Sequence, residues 1–143
     1  MAGSKKLKIF LVFVLSVLLF FNSVFSEEVC NLDNAVISGY LESPIFDLGS
    51  SYNLTKISWQ GEKTEKHFVG FQIASANSTS GPWIFYGENF SNNYIDIQPF
   101  TFFLFNQDHP HKSIRYFKYR VFLGSCEDLS SPQVDKIIIY YRK

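Results

Sequence analysis

Only two cysteines, three histidines and one methionine occur in the 143 residues, and Gly and Pro together number thirteen. So few thiols and imidazoles argue against a metal centre. The motifs that announce catalysis are missing as well. There is no Gly-x-Ser-x-Gly elbow, no His-Glu-x-x-His pair and no phosphate-cradling glycine loop. After Ser26 no window keeps apolar residues at three- and four-residue spacing behind a cap, which excludes a helical domain. Charge of one sign is also lacking, because thirteen bases balance thirteen acids.

The one long apolar run lies at the start. Lys5, Lys6 and Lys8 precede Ile9 to Phe21, thirteen residues interrupted only by Ser16. That is the layout of a secretory signal, and Val24 and Ser26 before Glu27 and Glu28 place cleavage after Ser26. An uncleaved anchor is the alternative, but a spanning helix needs about 20 apolar residues. Residues 1–26 are therefore read as the leader and 27–143 as a single domain, large enough for its own core. Removing the leader takes three of the thirteen bases and none of the acids, leaving a formal charge of −3. This argues against nucleic acid as a partner, and a membrane is expected to be met only through a retained leader. Two cysteines in an exported chain, Cys30 and Cys126, are most simply one disulfide closing most of the domain, with two free thiols as the alternative.

Strand signals fill the remainder. Ala35 to Phe46 is a first candidate, interrupted near Ser43 and Pro44, and Asp47 to Asn53 reads as a turn cluster around Gly49. Leu54 to Gln60 follows with Ile57 and Trp59 toward the core, and His67 to Ala74 puts Val69, Phe71 and Ile73 on one face. Trp83 to Tyr86 and Tyr94 to Ile97 are two shorter candidates. Tyr116 to Leu123 alternates strictly, with Phe117, Tyr119, Val121 and Leu123 inward and the other face wet. Val134 to Arg142 contains Ile137, Ile138 and Ile139 in succession, as in a strand buried on both sides or lying under a loop. Short strands between turn clusters predict an all-β antiparallel sandwich.

The ordered segments Ser38-Gly39-Tyr40-Leu41-Glu42-Ser43, Phe46-Asp47-Leu48-Gly49, Ile57-Ser58-Trp59 and Phe71-Gln72-Ile73-Ala74 go further. With Gly81-Pro82-Trp83, Arg115 to Leu123 and Pro132 to Ile139, this set resembles discoidin-like, galactose-binding-type jelly-roll modules of exported or pilin-associated bacterial surface proteins. The resemblance spans Ala35 to Arg142 and implies a jelly roll at the cell surface or secreted. The leader departs from the prepilin type that such modules often carry.

Several residue groups bear on function. Trp83 and Tyr86 flank two polar loops, where aromatic rims with Asn77, Asn89 or Asn92 as hydrogen-bond partners would suit a carbohydrate. The resemblance implies, by contrast, that the tryptophan after Gly-Pro, Trp83, is a core or hairpin-packing residue. Phe100, Phe102, Phe103, Leu104 and Phe105 form a dense run. It is either an exposed contact surface or a buried central strand or plug. Asp108, His109 and His111 around Pro110 read as a solvated loop, and His67 as a surface residue. Asp47, Glu62, Asp96 and Asp135 lack a context that would shift their pKa values. Lys112, Arg115, Lys118 and Arg120 read as a solvated basic stripe, and Asn53, Asn77 and Asn89 begin Asn-x-Ser/Thr triplets. No cofactor is implied, and no residues are assigned to a structural calcium. The expectation is a non-catalytic module that recognises a glycan or cell-envelope component. The alternative is a structural subunit that packs on a protein partner through its aromatic segment.

Overall fold

The computed structural model describes residues 29–88, 92–127 and 129–143. The expected leader, residues 1–26, and the expected cleavage position lie outside these residues. Among the described residues there is no helix long and apolar enough to cross a membrane. The chain is all-β, with β1 (Ile37–Glu42), β2 (Phe46–Glu62), β3 (His67–Ala76), β4 (Ile95–Asp96), β5 (Phe102–Leu104), β6 (Ile114–Ser125) and β7 (Gln133–Arg142).

All pairings are antiparallel, and they form a sheet nearly closed on itself. In one ladder β6 is central, with β3 along one edge and β1 followed by the start of β2 along the other; β4 extends β3. In the second ladder the rest of β2 runs between β7 and β5. The 17-residue β2 therefore belongs to both. It passes through the segment whose composition predicts a turn, and the reason is local. Gly49 takes φ +78° and donates its N–H to the Asp47 carboxylate at 2.7 Å, and the register shifts between Asp47 and Tyr52. The irregularity bends the strand from one ladder into the other without ending it. A further shift at Gly61 brings that residue so close to the Gln133 carbonyl that a side chain would overlap it.

Most of the expected inward residues are inside, with Tyr119 and Leu123 half-buried against the core. Ile57, Trp59, Val69, Phe71 and Ile73 are wholly buried and form one core with Leu54, Ile95, Ile114, Phe117 and Val121. Both ladders feed this core, and the Trp59 and Phe71 rings meet across it with centroids 6.3 Å apart. The indole N–H of Trp59 donates to the Ile97 carbonyl at 2.9 Å, so the largest core side chain buries no unpaired polar atom. Leu54 is buried where alternation alone would place Thr55, because a register shift between Leu54 and Lys56 reverses the faces.

Two strands depart from simple alternation. On β3 the outward residues Phe68, Gly70, Gln72, Ala74 and Ala76 are buried too. Residues 81–88 and 92–94 fold across them, so Trp83 to Tyr86 forms a cover with a single bridge, Tyr86 to Ile73, instead of a strand. Gly70 leaves the room required: a Cβ there would lie 2.8 Å from Tyr94 Cβ. The face of β6 expected to be wet is half-covered by the same segment. Ile137, Ile138 and Ile139 are all half-buried on β7, which pairs with β2 alone among the described residues.

Cys30 and Cys126 are bonded, with Cα atoms 5.7 Å apart and a sequence separation of 96. The bridge ties the start of the described chain to the end of β6, where Cys126 N–H also donates to the Lys66 carbonyl at 3.0 Å. A loop of this length restricts the unfolded chain by about 4 to 5 kcal/mol on the chain-entropy model. The double change Cys30→Ser with Cys126→Ser is expected to lower the unfolding free energy by about 2 to 5 kcal/mol while leaving the strand circular dichroism intact, as measured by denaturant titration.

Candidate functional site

Three surface or near-surface clusters carry chemistry. The first lies at the corner where β2 enters the second ladder. His109 and His111 are only 6% and 2% exposed, which corrects the reading of a solvated loop. The alternation of polar residues around Pro110 hides the cause: the histidine rings pack on Phe105, and His111 on Tyr86. The His111 carbonyl accepts from Leu54 N–H at 3.0 Å, and its Nδ1 lies 2.9 Å from Ser75 Oγ. His109 Nδ1 accepts from His111 N–H at 3.1 Å. Burial, reinforced by His109, pushes His111 down to about 3. Burial and then Lys112 lower His109. These are neutral rings that close a corner. Among the described residues no three His, Cys, Asp or Glu side chains stand together as a metal site would need.

The second cluster is the cover over β3 and β6. Lys118 Nζ lies 5.1 Å from the Trp83 ring and 5.3 Å from the Phe85 ring. Arg120 stacks 3.7 Å from Phe85 and 5.4 Å from Tyr40. Glu42 bridges both cations, at 2.5 Å to Lys118 and 2.8 Å to Arg120, and these bonds hold its carboxyl below the usual range. Arg115 grips Asp47 with two bonds of 2.9 and 3.0 Å, which with the Gly49 N–H lowers the Asp47 pKa. Asp47 thus has a pKa-shifting context, contrary to the expectation from sequence, and three of the four bases of the expected stripe are paired.

The proposed sugar-contacting residues are distributed around this cover. Trp83 lies on the Lys118 side of the ladder, whereas Tyr86 bonds to Ile73 through its backbone and turns its ring to His111, 6.2 Å away. The structure therefore does not bring the two rings together. Asn77 accepts from Arg115 N–H at 3.2 Å. Asn92 accepts from Gln72 Nε2 through its carbonyl at 2.8 Å, fastening the cover. Asn89 lies outside the described residues.

The third cluster is the outer face of the β5–β2–β7 ladder. The aromatic run divides between two faces. Phe103 and Phe105 pack on the core, while Phe102 and Leu104 are 56% and 63% exposed and Phe100, at φ +62°, is more exposed still. The register places Leu104 and Tyr140 on either side of Lys56, and Phe102 and Ile138 on either side of Ser58. Lys56 Nζ stands 4.1 Å from the Tyr140 ring and 4.9 Å from that of Phe102. Alternation adds Lys136 and Arg142 of β7. None of the segments Asn53 to Gln60, Phe102 to Leu104 and Lys136 to Arg142 contains an acid. Three cations and four large apolar side chains thus share one face of a chain whose formal charge is zero. Lys56, Tyr140, Lys136 and Arg142 were not legible as site residues in sequence. Their only signal there is the shared absence of Asp and Glu from three distant segments.

Compared with known proteins, the chain matches no family model, no curated protein and no solved structure.

The buried histidines have a measurable consequence. The unfolded state takes up a proton on His111 below about pH 6.5, and the folded state only near 3. Folding stability is therefore expected to fall as pH drops through that window, by up to about 1.4 kcal/mol per pH unit for this ring. His111→Gln should flatten that part of the profile in denaturant titrations between pH 7 and pH 4. The carboxylates Glu42 and Asp47, with lowered pKa values, add an acid loss at lower pH that the variant retains.

Proposed function

We propose that this chain is a non-catalytic binding domain whose outer β5–β2–β7 face takes an acidic glycan of the cell envelope. The observation that carries the reading is the join of exposed rings with cations: Lys56 between Phe102 and Tyr140, flanked by Lys136 and Arg142. None of the three enters an ion pair among the described residues, and Glu62 and Asp135, the acids of β2 and β7 other than Asp47, are gathered at the Lys136 end of the ladder. Aromatic faces stack against the apolar side of sugar rings, and cations meet carboxylate or phosphate groups. A flat ladder suits a polymer, which needs area more than enclosure.

The wider reading is that the two ladders make a sandwich of the discoidin-like, galactose-binding jelly-roll type, exported by the leader to the cell surface or beyond. Its support is the common core fed by both ladders and the Cys30–Cys126 bridge, a bond that persists in oxidising compartments. The glycan moves from the rim at Trp83 and Tyr86 to the opposite ladder, because Trp83 is engaged with Lys118 and Tyr86 with the histidine corner.

Polygalacturonate oligomers and neutral dextran oligomers serve as probes in isothermal titration with the purified chain. Binding is expected for the first alone and is expected to weaken with salt, as screening of exposed charges requires. Lys56→Glu should weaken it by about tenfold or more, and Phe102→Ala or Tyr140→Ala by about threefold to tenfold. The unfolding midpoint should hold nearly constant, since all three side chains are outside the core. Equal affinity of Lys56→Glu and the unaltered chain would remove the reading, and so would self-association abolished by Phe102→Ala in place of glycan binding.

A further inference from the structure

We propose that two copies of this chain pair through β1, edge to edge and antiparallel, about a two-fold axis at Tyr40. This contact lies on the other ladder from the acidic-glycan face and does not depend on it.

The edge is open in every respect that governs strand addition. β1 pairs with β6 alone among the described residues, and all six of its residues are exposed. Ser43 N–H donates to the Tyr119 carbonyl at 2.9 Å in register with the ladder. Antiparallel alternation then directs the backbone groups of Ile37, Gly39 and Leu41 to β6 and those of Ser38, Tyr40 and Glu42 outward. Three residues thus offer N–H and C=O groups to a neighbouring strand.

Edge strands are usually blunted by lysine, proline or a bulge. β1 contains none of these, and its register to β6 is unbroken from Ile37 to Glu42. Its one charge, Glu42, is already neutralised by Lys118 and Arg120. Apolar side chains stand exposed on both faces: Tyr40 on the outer, Ile37 and Leu41 (67% exposed) on the inner. Beneath the inner side is an open groove of about 400 Å³ that Leu123 and Leu129 also line.

A second copy meets these requirements better than an unrelated strand, because the edge is complementary to itself. Outward-bonding residues must face one another, so a two-fold axis at Tyr40 sets Tyr40 against Tyr40 of the second copy and Ser38 against its Glu42. The Ser38 hydroxyl then donates to a carboxylate, and Gly39 faces Leu41 across the inner side. No like charges oppose each other in that register. Aromatic and small-to-large cross-strand pairs are the ones that stabilise sheets.

Sedimentation velocity of the purified chain over micromolar to millimolar concentration tests this. A monomer–dimer equilibrium is expected. Ser38→Pro removes an N–H that alternation turns away from β6, and Leu41→Lys puts a charge on the apolar inner side. Each should weaken the dimer by about tenfold or more with an unchanged unfolding midpoint. Tyr40→Cys should give a covalent dimer on oxidation, because directly bonded antiparallel pairs place Cα atoms about 5.5 Å apart, within disulfide reach. A chain that stays monomeric throughout overturns the inference. So does a dimer that both edge variants leave intact, or a Tyr40→Cys chain that stays monomeric under oxidation.

Discussion

One strand serves two ladders, and almost everything else follows from that. β2 enters beside β6, bends at Gly49 and leaves between β7 and β5. Because a strand presents alternate side chains to opposite faces, its buried residues Leu54, Ile57 and Trp59 must be covered by the other ladder, and Val69, Phe71 and Ile73 cover them. The residues of the same stretch on the opposite face, half-buried Lys56 and Gln60 and buried Ser58, are thereby turned away from the core, where β5 and β7 flank them with Phe102, Leu104, Ile138 and Tyr140. The core and the candidate binding face are two sides of one alternation.

The opposite ladder spends its outer face differently. Gly70, Ala74 and Ala76 are small enough for residues 81–88 and 92–94 to lie across β3, and Lys118, Arg120 and Glu42 fix that cover through ion pairs and ring contacts. Internal partners satisfy these cations, so they project little charge. Among the described residues Lys56, Lys136 and Arg142 enter no ion pair. The distinction between the two groups is one of pairing, since each ladder carries basic side chains.

Alternation was readable wherever one face is core and no bulge intervenes. Ile57, Trp59, Val69, Phe71, Ile73 and Val121 lie inside as their spacing predicts, and Cys30 and Cys126 are joined. The turn cluster at Asp47 to Asn53 was misread because Gly49 at φ +78° serves a bend within a strand as readily as a turn that ends one. His109 and His111 looked solvated because their cover, Phe105 and Tyr86, comes from other segments. The aromatic run could be read only as exposed or buried as a whole, while period-two geometry splits it between Phe102 and Leu104 outside and Phe103 and Phe105 inside. The basic face was hidden for a different reason: Lys56, Lys136 and Arg142 become neighbours only through the β2–β7 register.

The central claim is that ligand meets the outer side of the β5–β2–β7 ladder. The direct measurement is a map of backbone amide shifts in an isotope-labelled chain on addition of polygalacturonate oligomers. The account predicts saturable shifts concentrated at Lys56, Ser58, Phe102, Leu104, Ile138 and Tyr140, with the Trp83 cover and the histidine corner unmoved. Shifts confined to the cover around Trp83, or none anywhere at saturating oligomer, would contradict it.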